Sequence, residues 1–275
     1  MPLRPCRWKV NGEPNAAPVS DLVTAPGMPS ARALTGFDAK TSVEELDLRT
    51  QFSKTYRNVD GTETLVQSSA PVHYRTGSGA WAEVDNRVVR DGFGRLTNAA
   101  NDWSVTFEPM TSGKGVGITT ADGNVRFVGE GAAAVAPTVE PDGESVRYPN
   151  VYPGMDIVYR VTGGGVEELL VLKQPTATPA VSFRFDGLNL DMAPGQLKGR
   201  GTSKLANRIT VSAPETFDAA GKPVDVAQQV FSVADITTGS SRVKVGMSGT
   251  AVAATPASKF PLTVDPNVSL TPSTM

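Results

Sequence analysis

The residue types that could carry chemistry are few and scattered along this chain. His73 is the sole histidine and Cys6 the sole cysteine. One histidine cannot build a histidine-rich zinc centre, and acid–base catalysis by it would need a nucleophile and an orienting carboxylate alongside. A thiol–imidazole pair would require Cys6 to be held within hydrogen-bond reach of His73, yet Cys6 lies in a stretch without periodic structure. His73 therefore reads as an ordinary strand residue. A glycosidase would need two carboxylates flanking a cleft. Glu167 and Glu168 are adjacent on one expected strand and so point to opposite faces. Asp60, Asp122, Asp142 and Asp218 fall at turns, where an Asp side chain bonds its own backbone. No loop of alternating Asp and Asn suited to calcium is present.

Two glycine patterns invite a nucleotide reading and fail it. Gly129-Glu130-Gly131-Ala132-Ala133-Ala134 formally matches G-x-G-x-x-A, but that motif works by aiming a helix N-terminus at a pyrophosphate. Pro137 would stop such a helix within one turn. Gly113-Lys114-Gly115 lacks both the spacing and the hydroxyl residue of a phosphate loop. The expectation is no catalytic residue, no cofactor site and no metal site. Aromatic rings keep one binding hypothesis open: Trp81, Trp103, Tyr148 and Tyr152 could line a sugar-binding sheet face, with Trp81, Trp103 and Tyr152 the candidates for stacking on a glycan. In all-β chains such rings mostly fill the core instead.

The elements that would position these residues are strands. Residues 1–43 read as a flexible tether, because "EPNAAPVSDLVTAPGMPSARALTG" holds neither a 3.6 nor a 2.0 period. From Leu46 onward short alternating runs are punctuated by glycine-containing turns, the all-β signature. In "TYRNVDGTETLV" an Asp60-Gly61 turn would set Tyr56 opposite Leu65. In "VHYRTGSGAWAEV" a Gly77-Ser78 turn would set Tyr74 across from Trp81, with His73 on the other face. In "YPNVYPGMDIVYRVTGGGVEELLVLK" a Gly163-Gly164 turn pairs Val161 with Val166, Arg160 with Glu167, Tyr159 with Glu168 and Ile157 with Leu170. Met155, Ile157, Tyr159 and Val161 then share an apolar face with Val166, Leu170 and Leu172. A one-residue slip would bring charge into that face, so the register is well specified. Pro149 and Pro153 read as edge protection, since proline cannot donate to a ladder. Further strands are expected within 102–108, 123–129, 180–187, 207–213, 227–234, 241–248 and 260–265. "VEELDLR" (43–49) suits a helical turn or a strand, and no long amphipathic helix is seen. The Gly/Ala/Pro-rich run 129–144 suggests a link between two β domains, 44–132 and 133–268, before a tail at 269–275. The expected fold is all-β, with two antiparallel sandwich-like domains after the tether.

Bulk properties agree with a folded chain. Its 275 residues are 39% hydrophobic and 20% charged, without the polar excess of disorder. Lysine and arginine number 26 against 28 acidic residues, for a net charge of −2. They are spread along the chain, which gives no basic patch for nucleic acid. No run is apolar enough to span a membrane as a helix. Arg4, Arg7 and Lys9 are followed by "VNGEPNAAPVSDLV" where a secretory leader would be apolar, so the expectation is either a cytosolic protein or a start that lies downstream of the true signal peptide.

A series of motifs in order resembles a known family. "LRTQFSKTYRNVDGTETLVQSSAPVHYRTGSGAWAEVDNRVV", "LTNAANDWSVTFEP", "YPNVYPGMDIVYRV" and "FPLTVDPNV" are similar to the N-terminal β-rich module of actinobacterial secreted RHS/YD-repeat and DNRLRE-domain proteins. The second half also resembles the module ahead of β-propeller repeats in bacterial secreted proteins. The motif positions are Tyr148, Asn150, Val151, Pro153, Gly154, Asp156, Tyr159, Pro261, Asp265 and Pro266. The resemblance implies an extracellular or cell-surface structural module without catalytic residues, whose partners are the adjacent domains of a larger protein. The alternative is a carbohydrate-binding β-sandwich acting on cell-wall glycans.

Overall fold

The computed structural model describes residues 36–110, 114–201, 203–224 and 229–271. Most of the expected tether, with Cys6, lies outside the described residues. The chain divides into two compact units, the first ending at Val84 and the second beginning at Asp85.

In the first unit, β1 (Val43–Glu44), β2 (Ser53–Arg57) and β3 (Glu63–Gln67) form an antiparallel sheet, and β4 (His73–Arg75) and β5 (Trp81–Glu83) form a separate hairpin. Residues Leu46–Leu48 make one 3₁₀ turn, so the 43–49 run supplies both a strand and a helical turn. Both hairpins close around three residues rather than two, the first loop starting one residue earlier and the second ending one residue later than the sequence suggests. Asn58 N donates to Thr62 O, and Gly61 takes φ 82°. Thr76 N likewise donates to Ala80 O, with Gly79 at φ 81°. Each loop therefore has three central residues ending in a left-handed glycine, the pattern that follows a type I turn with a bulge. Thr55 now faces Leu65, and Tyr56 faces Thr64. Arg75 faces Trp81, and Tyr74 faces Ala82. The expected Tyr74–Trp81 pair is replaced by the Arg75 guanidinium lying 3.7 Å over the Trp81 ring, and Trp81 moves to the side of His73, with ring centroids 6.3 Å apart.

Among its described residues the first unit buries no apolar side chain. Its buried residues are Ser53, Thr55, Asn58, Thr64 and His73, while Val43, Leu46, Leu48, Phe52, Val59 and Leu65 are exposed. Phe37 stacks edge-on against Tyr56 at 5.1 Å.

The second unit holds eighteen strands among the described residues: β6 (Asp85–Arg90), β7 (Leu96–Ala100), β8 (Trp103–Phe107), β9 (Val116–Thr120), β10 (Gly123–Gly129), β11 (Thr138–Val139), β12 (Ser145–Tyr152), β13 (Met155–Thr162), β14 (Gly165–Leu172), β15 (Ala180–Asp186), β16 (Asn189–Ala193), β17 (Gln196–Arg200), β18 (Ile209–Ser212), β19 (Glu215–Phe217), β20 (Gln229–Thr237), β21 (Ser240–Met247), β22 (Leu262–Asp265) and β23 (Asn267–Leu270). They make two antiparallel sheets. One runs β20-β21-β15-β10-β9-β8-β7-β6, and the other β11-β12-β13-β14-β23-β18-β17-β16, with β22 pairing β14 and β19 pairing β22. One short helix, α1 (Gly249–Ala254), is capped by Ser248 Oγ accepting from Ala251 N. The fold class is all-β, as the alternating pattern implies.

The domain break does not fall at 132/133. β10, before the Gly/Ala/Pro-rich run, pairs with β15 beyond it from Arg126↔Asp186 to Gly129↔Phe183. That run is a crossing between sheets that share one core. Nor is 269–275 all tail, since Ser269 and Leu270 finish β23 and Leu270 is buried.

The β13–β14 hairpin has the register read from its sequence, Val161↔Val166 through Ile157↔Leu170. Its apolar face, from Met155 to Leu172, is buried. Phe107 of β8 and Phe127 of β10 contact the Tyr159 ring at centroid distances of 5.9 and 5.8 Å, and Tyr148 meets it edge-on at 5.8 Å. These rings come from both sheets, and burying each one contributes about 1.5–3 kcal/mol. β12 is not a free edge, because it lies between β11 and β13 and slips register between Tyr148 and Tyr152. Pro149 sits inside that irregularity, where no ladder donor is needed.

Candidate functional site

Two groups of polar side chains are buried with unusual partners, one in each unit. In the first, β4 places His73 at the centre, fully buried. Its Nδ1 lies 2.7 Å from the Thr50 carbonyl oxygen. A carbonyl only accepts, so Nδ1 carries the hydrogen and donates. Nε2 has no hydrogen-bond partner and faces Glu44 Oε1 of β1 at 3.5 Å. Glu83, the register partner of His73 on β5, completes the group. One ligand-type atom from each of the three residues lies within 4.8 Å of the other two. Arg49 holds Glu44 with Nε at 2.8 Å and Nη2 at 2.7 Å, and Arg49 Nη2 also reaches Glu83 Oε1 at 3.2 Å. Lys54 Nζ donates to the same Glu83 oxygen at 2.8 Å, and that bond, against the opposing effect of burial, holds the Glu83 carboxyl below its ordinary pKa. Two carboxylates thus face two cations around an imidazole with one bare nitrogen.

In the second unit, alternation along β14 sends Glu167 outward and Glu168 into the core. Glu168 Oε1 accepts from the Tyr159 hydroxyl at 2.7 Å. Burial pushes the Glu168 carboxyl up to about 8, the Tyr159 bond working against the shift and the Asp265 charge adding to it. Asp265 closes β22, where Pro266 separates that strand from β23 and offers its carbonyl to Glu168 N at 3.1 Å. Asp265 is 6% exposed, and its Oδ1 finds no hydrogen-bond partner. Burial, then the Glu167 and Glu215 charges, push it up to about 7. At neutral pH a carboxyl of this kind holds its proton for a large share of the time, which lets it stay in an apolar interior.

The remaining motif positions are structural in their contacts. Tyr148 donates to Glu108 O at 2.8 Å and Tyr152 to Glu130 O at 3.0 Å. Asn150 takes φ 47°, and its N–H donates to Asp156 Oδ1 at 2.7 Å. Asp156 also accepts from Lys173 Nζ at 2.8 Å and Arg147 Nη1 at 3.0 Å. Val151 is buried. Pro153 O accepts from Thr178 N at 2.9 Å. Gly154 passes so close to Ala177 that a Cβ there would lie 2.9 Å from its Cα. Pro261 follows a cis peptide bond.

Of the three rings considered for sugar stacking, two are buried. Trp103 is 4% and Tyr152 6% exposed, so both rings fill the core of the second unit. Trp81 belongs to the first unit and carries Arg75 on its face. A shallow open cavity of about 570 Å³ is bordered by Met110, Val128, Glu130, Arg184 and Arg242. Arg242 is held there by both oxygens of Glu130, at 2.6 and 2.8 Å. Gly129 ends a strand rather than opening a helix, and a Cβ there would fall 2.5 Å from the Tyr152 hydroxyl. Close approach by Tyr152 explains that glycine.

Glu168 was within reach of sequence reasoning, because the register that puts Tyr159 opposite Glu168 already places a carboxyl on an apolar face. The Glu44–His73–Glu83 group had no such signal, since its members come from three strands. Among the described residues no helix is long and apolar enough to cross a membrane. Compared with family models, curated proteins and solved structures, the chain matches none of them.

Proposed function

We propose that the chain is a non-catalytic structural module that presents and spaces neighbouring domains in a bacterial cell-surface or secreted multidomain protein of the RHS type. The observation that carries this reading is where the second unit spends its reactive and aromatic side chains. Trp103, Tyr148, Tyr152 and Tyr159 are buried, and the three tyrosine hydroxyls bond to internal oxygens. Side chains held in this way stiffen a core and are not offered to a substrate. The first unit supports the same reading from the other direction. It buries no apolar side chain among its described residues yet exposes six, a composition suited to covering by an adjacent domain.

The test is a panel of peptidoglycan fragments and cell-wall glycans titrated into the full chain while tryptophan fluorescence is followed, together with a hydrolase screen on the same panel. Silence in both is expected. A saturable change lost in Trp81→Ala would replace this reading with a carbohydrate-binding module. Hydrolysis abolished by Glu168→Gln in a folded protein would replace it with an enzyme.

A further inference from the structure

We propose that Glu44, His73 and Glu83 bind a single divalent transition-metal cation of the zinc class, which acts as the internal staple of the first unit. The carrying observation is the bare Nε2 of His73, fully buried, without a hydrogen-bond partner and aimed between two carboxylates. A buried acceptor left unmet costs free energy, and a cation at that point would satisfy it. The tautomer is already the one a metal requires, because Nδ1 is committed to the Thr50 carbonyl. Ligating histidines typically donate their other nitrogen to such an oxygen. Arg49 clasps both oxygens of Glu44, and Glu44 Oε1 lies 3.5 Å from His73 Nε2.

The size and interior of the unit give the site a purpose. Small folds that cannot assemble an apolar core are commonly held by disulfides or a structural metal. This unit buries only polar side chains among its described residues, and the chain has one cysteine. One imidazole with two carboxylates suits zinc, copper or nickel ahead of calcium or magnesium. Ligand atoms around a tetrahedral zinc ion stand about 3.4 Å apart, so the group, within 4.8 Å, must draw in slightly. Glu83, 54% exposed at its side chain, is the member free to move and the side from which an ion enters. Lys54 opposes binding, since its ammonium already occupies Glu83 Oε1.

The experiment uses the full chain in a Cys6→Ser background, which removes the competing thiol. It is stripped with chelator and titrated with zinc chloride by calorimetry at pH 7.5. One-to-one saturable binding is expected, with a rise in melting temperature. Glu83→Gln should weaken binding about tenfold or more, and Lys54→Met, which removes the competing cation, should tighten it. Cobalt(II) should quench tryptophan emission in the parent and lose most of that quenching in Trp81→Phe, because Trp81 lies beside His73. His73→Gln alters a fully buried residue and could unfold the unit, so the Glu83 and Lys54 variants decide. Absence of saturable zinc binding, equal affinity in Glu83→Gln, weaker binding in Lys54→Met, or calcium bound as tightly as zinc would each overturn the proposal.

Discussion

Tyr159 donates its hydroxyl hydrogen to Glu168 Oε1 at 2.7 Å across the β13–β14 hairpin, and both side chains are buried. The pair sets an acid inside the buried apolar face of this hairpin. Burial raises the Glu168 pKa to about 8, and Asp265 rises to about 7 for the same first reason. The folded chain therefore keeps protons that the unfolded chain has released. For an acid raised in this way, stability is fullest below the unfolded value, declines as pH climbs towards the folded value, and levels off above it. The decline is at most about 1.4 kcal/mol per pH unit for each group. Glu168→Gln keeps an acceptor for Tyr159 and removes the titration. We expect it to lie within about 1 kcal/mol of the parent at pH 5 and to exceed it by about 2–4 kcal/mol at pH 9. Urea denaturation at the two pH values measures this, and parallel profiles for parent and variant would refute the assignment.

Asp156 works in the opposite direction. Burial opposes its ionisation, but the Asn150 N–H, Lys173 and Arg147 together outweigh that and hold its pKa below the usual value. A depressed carboxyl contributes stability above its unfolded pKa, and that contribution is lost as pH falls through the folded one. Asp156→Ala would take one of two carboxylates from Arg147, which keeps Glu140, would leave Lys173 with the Asn150 side-chain oxygen, and would release the bulge at Asn150, whose φ is 47°. The expected cost at pH 7 is about 2 kcal/mol, shrinking as pH falls from the ordinary carboxylate value towards the lower folded one and the parent carboxyl is itself protonated. Thermal denaturation at pH 7 and pH 3 tests both halves.

How much of this was legible depended on what each local pattern could distinguish. The 155–172 hairpin was readable to the residue because Gly163-Gly164 separates two long apolar-alternating runs, and any slip puts Glu167 into the core. The first two hairpins were readable as hairpins but not in register. Asp60-Gly61 and Gly77-Ser78 look like two-residue turns, whereas the left-handed residues are Gly61 and Gly79, each closing a loop of three. That single step carried Trp81 from Tyr74 to the His73 side. Two features lay beyond local pattern altogether. The β10–β15 ladder joins segments on either side of the 129–144 run, so a composition break could not reveal their shared sheet. The convergence of Glu44 and Glu83 on His73 needs three strands folded together, and no spacing rule anticipates it.

Glycine positions give a contrast within the second unit. Gly165 begins β14 at φ 154°, and a Cβ there would fall 2.3 Å from the Val268 carbonyl oxygen and 3.0 Å from Ser269 Cα. Both contacts are backbone of β23, the register partner of β14, so neither can swing aside. Gly195 turns the β16–β17 hairpin at φ 71°, with nothing within 4 Å of its would-be Cβ. Only the left-handed backbone penalises a side chain there. Gly195→Ala should cost about 1 kcal/mol, and Gly165→Ala about 3 kcal/mol or more, from strain and overpacking together. Paired urea titrations of the two variants separate conformational cost from steric cost. Equal losses would mean that β23 does not sit against β14 at Gly165, and the β22–β23 junction at Pro266, beside Glu168 and Asp265, would then need another register.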